Sequence, residues 1–257
     1  TPYPVPASYL RKSKYTVMKR LSLFLLLPAF LFASCHYMTG EVVRGGGNIK
    51  TDARTVGSFT GIDVSGNMDL YFTQDSVTSV KIETDEGLLP FIETVVDGNT
   101  LEVGPKDGYS LRPTGKIKVY VSAPLIGHFE ASGACTIISQ NKVVNSSAIS
   151  INLSRASTAR LDVQTPKEDA DLSGAGTIEL KGQTKDLDVG GSGSSDIRCF
   201  DLMAENADLD ISGSGDAEVF ASVNLDVHIS GAGSVRYKGN PKVNPDISGA
   251  GSVKKAD

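Results

Sequence analysis

A short pattern of small residues recurs along the second half of the chain and constrains the fold more than any other feature. Four copies have an apolar residue, then Ser-Gly, a small residue and a final Gly, as in the segment Ile211–Gly215, and the other copies are variants of this pattern. The period is about 19 residues, and variation of a few residues between copies is absorbed in loops. The first glycine of each copy, or the residue that replaces it, is Gly133, Arg155, Gly174, Gly191, Gly213, Gly231 or Gly249.

The residues on either side of each glycine alternate between apolar and polar, which is the pattern of β-strands. Leu209 and Ile211 lie four and two positions before Gly213, and Ala217 and Val219 lie four and six positions after it. Since successive side chains of a strand point to opposite faces, these apolar residues share one face. One unit of this length cannot bury that face alone, whereas stacked units enclose a continuous core. The repeat therefore predicts an all-β fold, a β-solenoid; a β-sandwich made of similar hairpins is the alternative.

The glycines mark the corners between successive strands of a rung. Glycine adopts positive φ without strain and lets a neighbouring backbone approach closely, so we expect these residues to be structural. The predicted corner glycines are Gly133, Gly174, Gly176, Gly191, Gly193, Gly213, Gly215, Gly231, Gly233, Gly249 and Gly251.

The N-terminal residues have the three parts of an export signal. A basic pair at residues 19–20 precedes the apolar run 21–32, and Ala33, Ser34 and Cys35 follow it. A membrane-spanning helix needs about 20 apolar residues, so this shorter run is interpreted as the core of a signal peptide. Small residues directly before a cysteine are typical of lipoproteins, and we predict cleavage before Cys35 and a diacylglyceryl group on its sulfur. Ordinary signal cleavage that leaves a free thiol is the alternative.

These features divide the chain into five segments. Residues 1–17 are interpreted as an upstream segment from a misplaced start, with a longer basic leader as the alternative. Residues 18–34 are the lipoprotein signal peptide, and residues 35–44 are a tether. We expect residues 45–125 to form the N-terminal part of the solenoid with its cap, and residues 126–257 to form the repeat solenoid.

Composition and motifs argue against several classes of function. The formal net charge of −5 disfavours nucleic acid binding. The absence of Trp and the low aromatic content disfavour an aromatic platform for sugars. The chain has no Gly-x-Ser-x-Gly elbow, and His36, His128 and His228 are far apart in the sequence. We therefore predict no catalytic residues and no cofactor; a carbohydrate-active β-helix enzyme is the alternative function.

Aspartates recur three and five positions before the glycines, where side chains point outward. On stacked rungs they would form two acidic columns, in which neighbouring carboxylates ~5 Å apart repel by roughly 1 kcal/mol per pair in water. A solvated face is one interpretation, and a stripe that binds a cation or a basic partner is the other. Calcium is the candidate ion because it prefers several carboxylate oxygens. The stripe comprises Asp169, Asp171, Asp186, Asp188, Asp208, Asp210, Asp226 and Asp246.

The opening segments Gly47–Lys50 and Phe59–Gly66, together with the Ser-Gly corners, resemble the auto-transporter adhesin "head GIN domain" family of Bacteroidetes. The resemblance covers about Gly45 to Val253, which is nearly all of the chain after the signal peptide. It implies a right-handed, single-stranded β-helix related in shape to pectin-lyase-like folds, and a role in cell adhesion. The family has no established catalytic residues to carry over.

The sequence thus predicts a lipid-anchored binding module that acts in cell adhesion or in contacts within the cell envelope. The lipid on Cys35 would attach it to the outer membrane, and a glycan or a protein would be its ligand. The residues directly after Cys35 lack the acidic pair that Bacteroidetes surface lipoproteins carry. We therefore expect the module to face the periplasm.

Overall fold

The computed structural model describes residues 40–256, which fold as a stack of β-strands. The N-terminal strands are β1 (Glu41–Arg44), β2 (Ile49–Arg54), β3 (Gly61–Gly66), β4 (Met68–Gln74), β5 (Ser79–Asp85), β6 (Ile92–Asp97), β7 (Thr100–Pro105), β8 (Tyr109–Arg112) and β9 (Ile117–Ala123). The later strands are β10 (His128–Gly133), β11 (Thr136–Ser139), β12 (Val143–Val144), β13 (Ile149–Arg155), β14 (Thr158–Gly174), β15 (Thr177–Gly193), β16 (Asp196–Gly213), β17 (Asp216–Gly231), β18 (Ser234–Lys238), β19 (Lys242–Gly249) and β20 (Ser252–Lys255). A 3-10 helix, Glu86–Phe91, lies between β5 and β6. Over residues 40–256, no helix combines the length and apolar character required to cross a bilayer.

Successive rungs of the chain pair in parallel and in register along three sides. Face A contains β3, β10, β13, the C-terminal halves of β14 to β17, and β19. Face B follows each corner glycine and contains β4, β11, the N-terminal parts of β14 to β17, β18 and β20. Face C is short and contains β12 and the middle segments of the long strands.

The inward side chains form continuous apolar columns because each rung repeats the alternation of the one before it. One column of face A consists of Ile62, Phe129, Ile151, Ala170, Val189, Leu209 and Val227. Each of these residues is at most 3% exposed. The all-β solenoid predicted from the repeat is confirmed, and the β-sandwich alternative is wrong, since the neighbouring strands of the repeat are parallel and belong to successive rungs.

One predicted corner is displaced by two residues. Gly174 pairs with Gly193, and Gly193 pairs with Gly213, so Gly193 is the corner residue of its rung. Gly191, which the sequence placed at the corner, is a buried inward residue whose added Cβ would lie 2.6 Å from Ser195 Oγ. The local sequence Gly-Gly-Ser-Gly is compatible with either Gly191 or Gly193 as the corner residue. Only the pairing with the rungs on both sides shows that it is Gly193. The corner residues are Gly133, Arg155, Gly174, Gly193, Gly213, Gly231 and Gly249.

The residues between the first and second rungs cover the N-terminal end of the stack. β7 pairs in parallel with β3, and β9 pairs in parallel with β4. β5 pairs antiparallel with β2 and β9, and β6 forms a hairpin with β7. The buried Asp85 carboxylate joins these segments by accepting hydrogen bonds from Gly47 N at 2.6 Å, Thr114 N at 2.9 Å and Thr114 Oγ1 at 2.8 Å. The bond from Thr114 N is the main cause of the lowered pKa of Asp85.

Candidate functional site

The outward side of face A carries the aspartates that the sequence analysis selected. Asp169, Asp188, Asp208 and Asp226 lie five positions before their corner residues and occupy four successive rungs. We call these four residues the aspartate column. Neighbouring rungs of a sheet are about 4.8 Å apart, so the column is a regular array of carboxylates along the solenoid.

A second outward column lies three positions before the corner residues and is not continuous. It contains Asp171, Gly190, Asp210, His228 and Asp246 in successive rungs. The prediction that all eight aspartates lie in two columns is therefore wrong for Asp186, and Asp188 lies in the other column from the one predicted. Counting from Gly191 placed Asp188 in this second column. Counted from the true corner residue, Gly193, it belongs to the aspartate column.

A third outward column, one step further from the corners, holds the remaining predicted aspartate. Asp186 lies here in register with Lys167, Asn206 and Asn224. Asn206 Nδ2 donates to Asp186 Oδ1 at 2.7 Å, and Asn224 Nδ2 donates to Asn206 Oδ1 at 2.8 Å. The side-chain amides thus form a hydrogen-bonded ladder along the edge of the aspartate column.

Neighbouring groups compensate the charges of the aspartate column unequally. Lys167 Nζ lies 2.7 Å from Asp169 Oδ1 and 2.9 Å from Asp188 Oδ2, and these two hydrogen bonds raise the pKa of Lys167. Asn244 Nδ2 donates to Asp226 Oδ1 at 2.7 Å. The pKa of Asp208 is raised, first by partial burial and then by the charge of Asp188. Burial and, after it, repulsion within the column both disfavour the ionised form of Asp208.

Gly190 opens a notch between the acidic side chains. A Cβ at this position would lie 2.5 Å from Asp171 Oδ1, so any larger residue would displace that carboxylate. The notch is a shallow cavity of about 320 Å³. Its acidic and basic lining residues are Asp169, Asp171, Asp188, Asp208, Asp210 and His228.

The histidines of the solenoid lie in different strands of face A and are paired with different acids. His128 Nε2 is 3.5 Å from Glu130 Oε2, and His228 Nδ1 is 3.7 Å from Asp246 Oδ2. Within residues 40–256, no group of three or more His, Cys, Asp or Glu side chains is placed to hold a metal ion. The arrangement is suited to repeated contacts along a surface.

Face B carries a second charged array, which was not predicted from the sequence. Five positions after the five successive corner residues from Arg155 to Gly231, Arg and Glu alternate from rung to rung. The ion pairs include Arg160 Nε to Glu179 Oε2 at 2.9 Å and Arg236 Nη1 to Glu218 Oε1 at 2.7 Å. The signal is present in the sequence, but counting from Gly191 selects Asp196 in place of Arg198 and hides the alternation. We call this array the Arg–Glu ladder, and it consists of Arg160, Glu179, Arg198, Glu218 and Arg236.

The three cysteines differ in what the structure describes. Cys35, the predicted lipid attachment site, lies outside the described residues. Cys135 and Cys199 are free thiols that are 1% and 0% exposed. Burial raises the pKa of Cys135 to about 11 and that of Cys199 to about 12, so neither is a reactive thiolate at neutral pH.

A family model described as "Putative auto-transporter adhesin, head GIN domain" matches residues 58–241. The chain belongs to this head GIN domain family. The matched segment contains the strands from β3 to β18. It includes seven of the eight aspartates of the predicted stripe, and Asp246 lies beyond it. The resemblance found in the sequence is confirmed.

Solved structures share the fold of this family member. A "putative adhesin" from Bacteroides fragilis has a TM-score of 0.78 and 21% identity, over 83% of this chain and 100% of that one. A "putative adhesin" from Parabacteroides merdae has a TM-score of 0.70 and 25% identity, over 84% of this chain and 100% of that one. A "putative lipid binding protein" from Parabacteroides distasonis gives the same values. These descriptions name adhesion or lipid binding and no enzymatic activity, and no curated protein matches the chain.

Proposed function

We propose that this chain is an adhesion module that contacts its partner along the aspartate column. The observation that carries the proposal is the register of Asp169, Asp188, Asp208 and Asp226 on successive rungs. A partner with cationic groups at a matching spacing would engage several carboxylates at once, and linked contacts of this kind raise the overall affinity without any strong single contact. The adhesin family and the adhesins of the same fold support this general function.

The module would be attached to the membrane by a lipid on Cys35. The support is the order of basic pair, apolar run and Ala-Ser-Cys in residues 19–35. Cys35→Ser should abolish incorporation of a fatty-acid probe in cells, because the thiol is the acceptor. Undiminished labelling of the variant would contradict the lipid anchor.

The side of the outer membrane that the module faces is a separate proposal. The segment His36–Gly40 contains no acidic residue, which favours the periplasmic side. External protease added to intact cells should then leave the chain uncut until the outer membrane is permeabilised. Cleavage in intact cells would place the module on the cell surface.

Adhesion through the aspartate column can be measured with beads that carry the chain from Cys35 onward, coupled through the Cys35 thiol. The coupling is selective because Cys135 and Cys199 are buried. We expect bead retention under flow on surfaces coated with basic protein, and a steep dependence of retention on coupling density because contact is multivalent. Replacing all four aspartates of the column by Asn should abolish retention.

The matched control replaces four acidic residues of the N-terminal part of the solenoid, Asp52, Asp75, Asp97 and Asp107, by Asn. This control has the same change in net charge but leaves the column intact, so its beads should be retained like the wild type. Equal retention of the column variant and the wild type would contradict the proposed function. Equal loss of retention in both variants would show that retention depends on net charge alone, and this result would also contradict the proposed function.

A further inference from the structure

A cleft of about 490 Å³ opens on face B beside the side chain of Phe200. Glu179 pairs with Arg198, but Lys181 pairs with Asp201, so β16 contains one more residue than β15 at this point. Such a bulge bends the strand and changes the direction of its side chains. Cys199 points into the core, and the half-buried ring of Phe200 lines the cleft.

Cations from later in the chain lie against this ring. Lys238 Nζ is 4.3 Å from the centroid of Phe200, and Arg236 Cζ is 5.7 Å from it. Both residues belong to β18, which is separated from β16 by the intervening strand β17. The cleft therefore combines an aromatic wall with flexible cationic donors at its rim.

The charges around the cleft cancel. Four cationic and four anionic side chains line it, in contrast to the acidic face A. A ligand with net charge gains little from such a lining. A neutral ligand rich in hydroxyl groups can donate hydrogen bonds to the carboxylates and accept them from the ammonium and guanidinium groups. The charged lining residues are Arg160, Lys181, Arg198, Lys238, Asp162, Glu179, Asp201 and Glu218.

We infer that this cleft binds one pyranose unit of a neutral oligosaccharide, whose C–H groups pack against the ring of Phe200 after the flexible Lys238 side chain moves off the ring. The volume lies within the ~300–1,000 Å³ typical of small-molecule sites. The chain is too poor in aromatic residues for an extended sugar platform, but one ring in a cleft with polar walls is sufficient for one unit. The inference adds a glycan contact to the proposed adhesion function and does not depend on the aspartate column.

The test presents the full chain to an array of immobilised neutral and acidic oligosaccharides, followed by saturation-transfer NMR with the neutral ligands that bind. We expect binding to neutral oligosaccharides that is insensitive to salt. Phe200→Ala should weaken it about fivefold to tenfold, because the aromatic packing is lost. Lys238→Met should weaken it less, because only one donor is removed. Phe200→Leu, which keeps apolar volume in the bulge, provides the same comparison if Phe200→Ala does not fold.

Two controls separate this inference from the proposed function. The four-aspartate column variant should bind the oligosaccharides like the wild type, and Phe200→Ala beads should still be retained on basic protein. No binding to neutral oligosaccharides, a preference for acidic ones, or unchanged binding by a folded Phe200 variant would each overturn the inference. A column variant that loses bead retention but still binds the oligosaccharides would show that the cleft binds glycan independently of the aspartate column.

Discussion

Lys167 Nζ lies 2.9 Å from Asp188 Oδ2, on the next rung of the solenoid. The same ammonium group also contacts Asp169, so one cation holds two consecutive carboxylates of the aspartate column. This contact explains how a row of like charges is tolerated at one end of the column. The carboxylate of Asp208, one rung further, experiences the charges of Asp188 and Asp226.

Lys167→Met should lower the melting temperature, because the carboxylates of Asp169 and Asp188 would then repel each other without the bridging cation. The loss should be largest at low ionic strength and should shrink in high salt, since exposed charges are screened. Thermal unfolding at two salt concentrations measures it. Lys185→Met is the matched control, because Lys185 makes no ion pair within residues 40–256. Equal melting of both variants would contradict the bridging role.

Asp208→Asn should raise the melting temperature at pH 7 while leaving the Lys167 contacts intact. The pKa of Asp208 is raised in the folded state, so its ionisation opposes folding, and the wild type loses stability as the pH rises through that pKa. The gain should be less than about 1 kcal/mol because the group is largely exposed to solvent. It should disappear near pH 3, where the carboxyl is protonated in both states. A gain of equal size at pH 3 and pH 7 would rule out charge repulsion as its cause.

Gly213→Val should destabilise the solenoid by about 1–3 kcal/mol or more, because a β-branched residue is forced into positive φ. Gly213 has φ 123°, and an added Cβ would meet the backbone oxygen of Gly193. Gly57→Val is the control, since its Cβ would have no atom within 4 Å. Chemical denaturation of the two variants provides the comparison. A Gly213→Val protein as stable as the control would contradict the structural role of glycine at this corner.

Arg155→Gly should stabilise the protein by about 1 kcal/mol, because it relieves left-handed backbone at a residue with a side chain. Arg155 has φ 64° and is the one residue other than glycine with positive φ in residues 40–256. The greater flexibility of glycine in the unfolded chain offsets part of the gain. The measurement is the midpoint of denaturant unfolding at an unchanged slope. A lower midpoint would mean that the side chain of Arg155 contributes more than its backbone costs.

Glu168→Leu should stabilise the protein by about 1–3 kcal/mol at pH 7, because it removes a buried polar group without a partner. Glu168 is 0% exposed and lies between Ile149 and Leu187 in a column of inward side chains. Neither of its carboxylate oxygens has a hydrogen-bond partner. Burial, and to a lesser degree the charge of Asp169, raises its pKa well above the ordinary value.

The pH dependence distinguishes ionisation of Glu168 from packing. Since its pKa is raised in the folded state, wild-type stability should fall as the pH rises from about 4.3, the value of a free glutamate, to the folded-state pKa. Glu168→Gln should remove that fall while it keeps a buried polar group. Glu205→Gln, at an exposed position of β16, is the control and should leave the pH profile unchanged. An unaltered profile in Glu168→Gln would show that another group titrates.

The repeat was sufficient to predict the rungs, because stacking buries the apolar face that units like Leu209–Val219 share; only the parallel pairing between rungs excluded the β-sandwich alternative. The corner residues followed wherever Ser-Gly occurs once per unit, as at Gly213 and Gly231. The prediction failed at the tandem glycines Gly190 and Gly191, where two frames have the same local pattern. That single error moved Asp188 out of its column and concealed the Arg–Glu ladder of face B.

The sequence by itself determined the architecture and the outward position of the acidic residues, because alternation and glycine placement act over a few neighbouring residues. Tertiary structure decided which side chains are neighbours, because contacts between the rungs from β10 onward join residues 17 to 22 positions apart and depend on the exact register. It also decided the direction of Phe200, since the bulge in β16 exists only relative to the strands on either side. The bridging of Asp169 and Asp188 by Lys167 likewise follows from the register between rungs, which no single repeat contains.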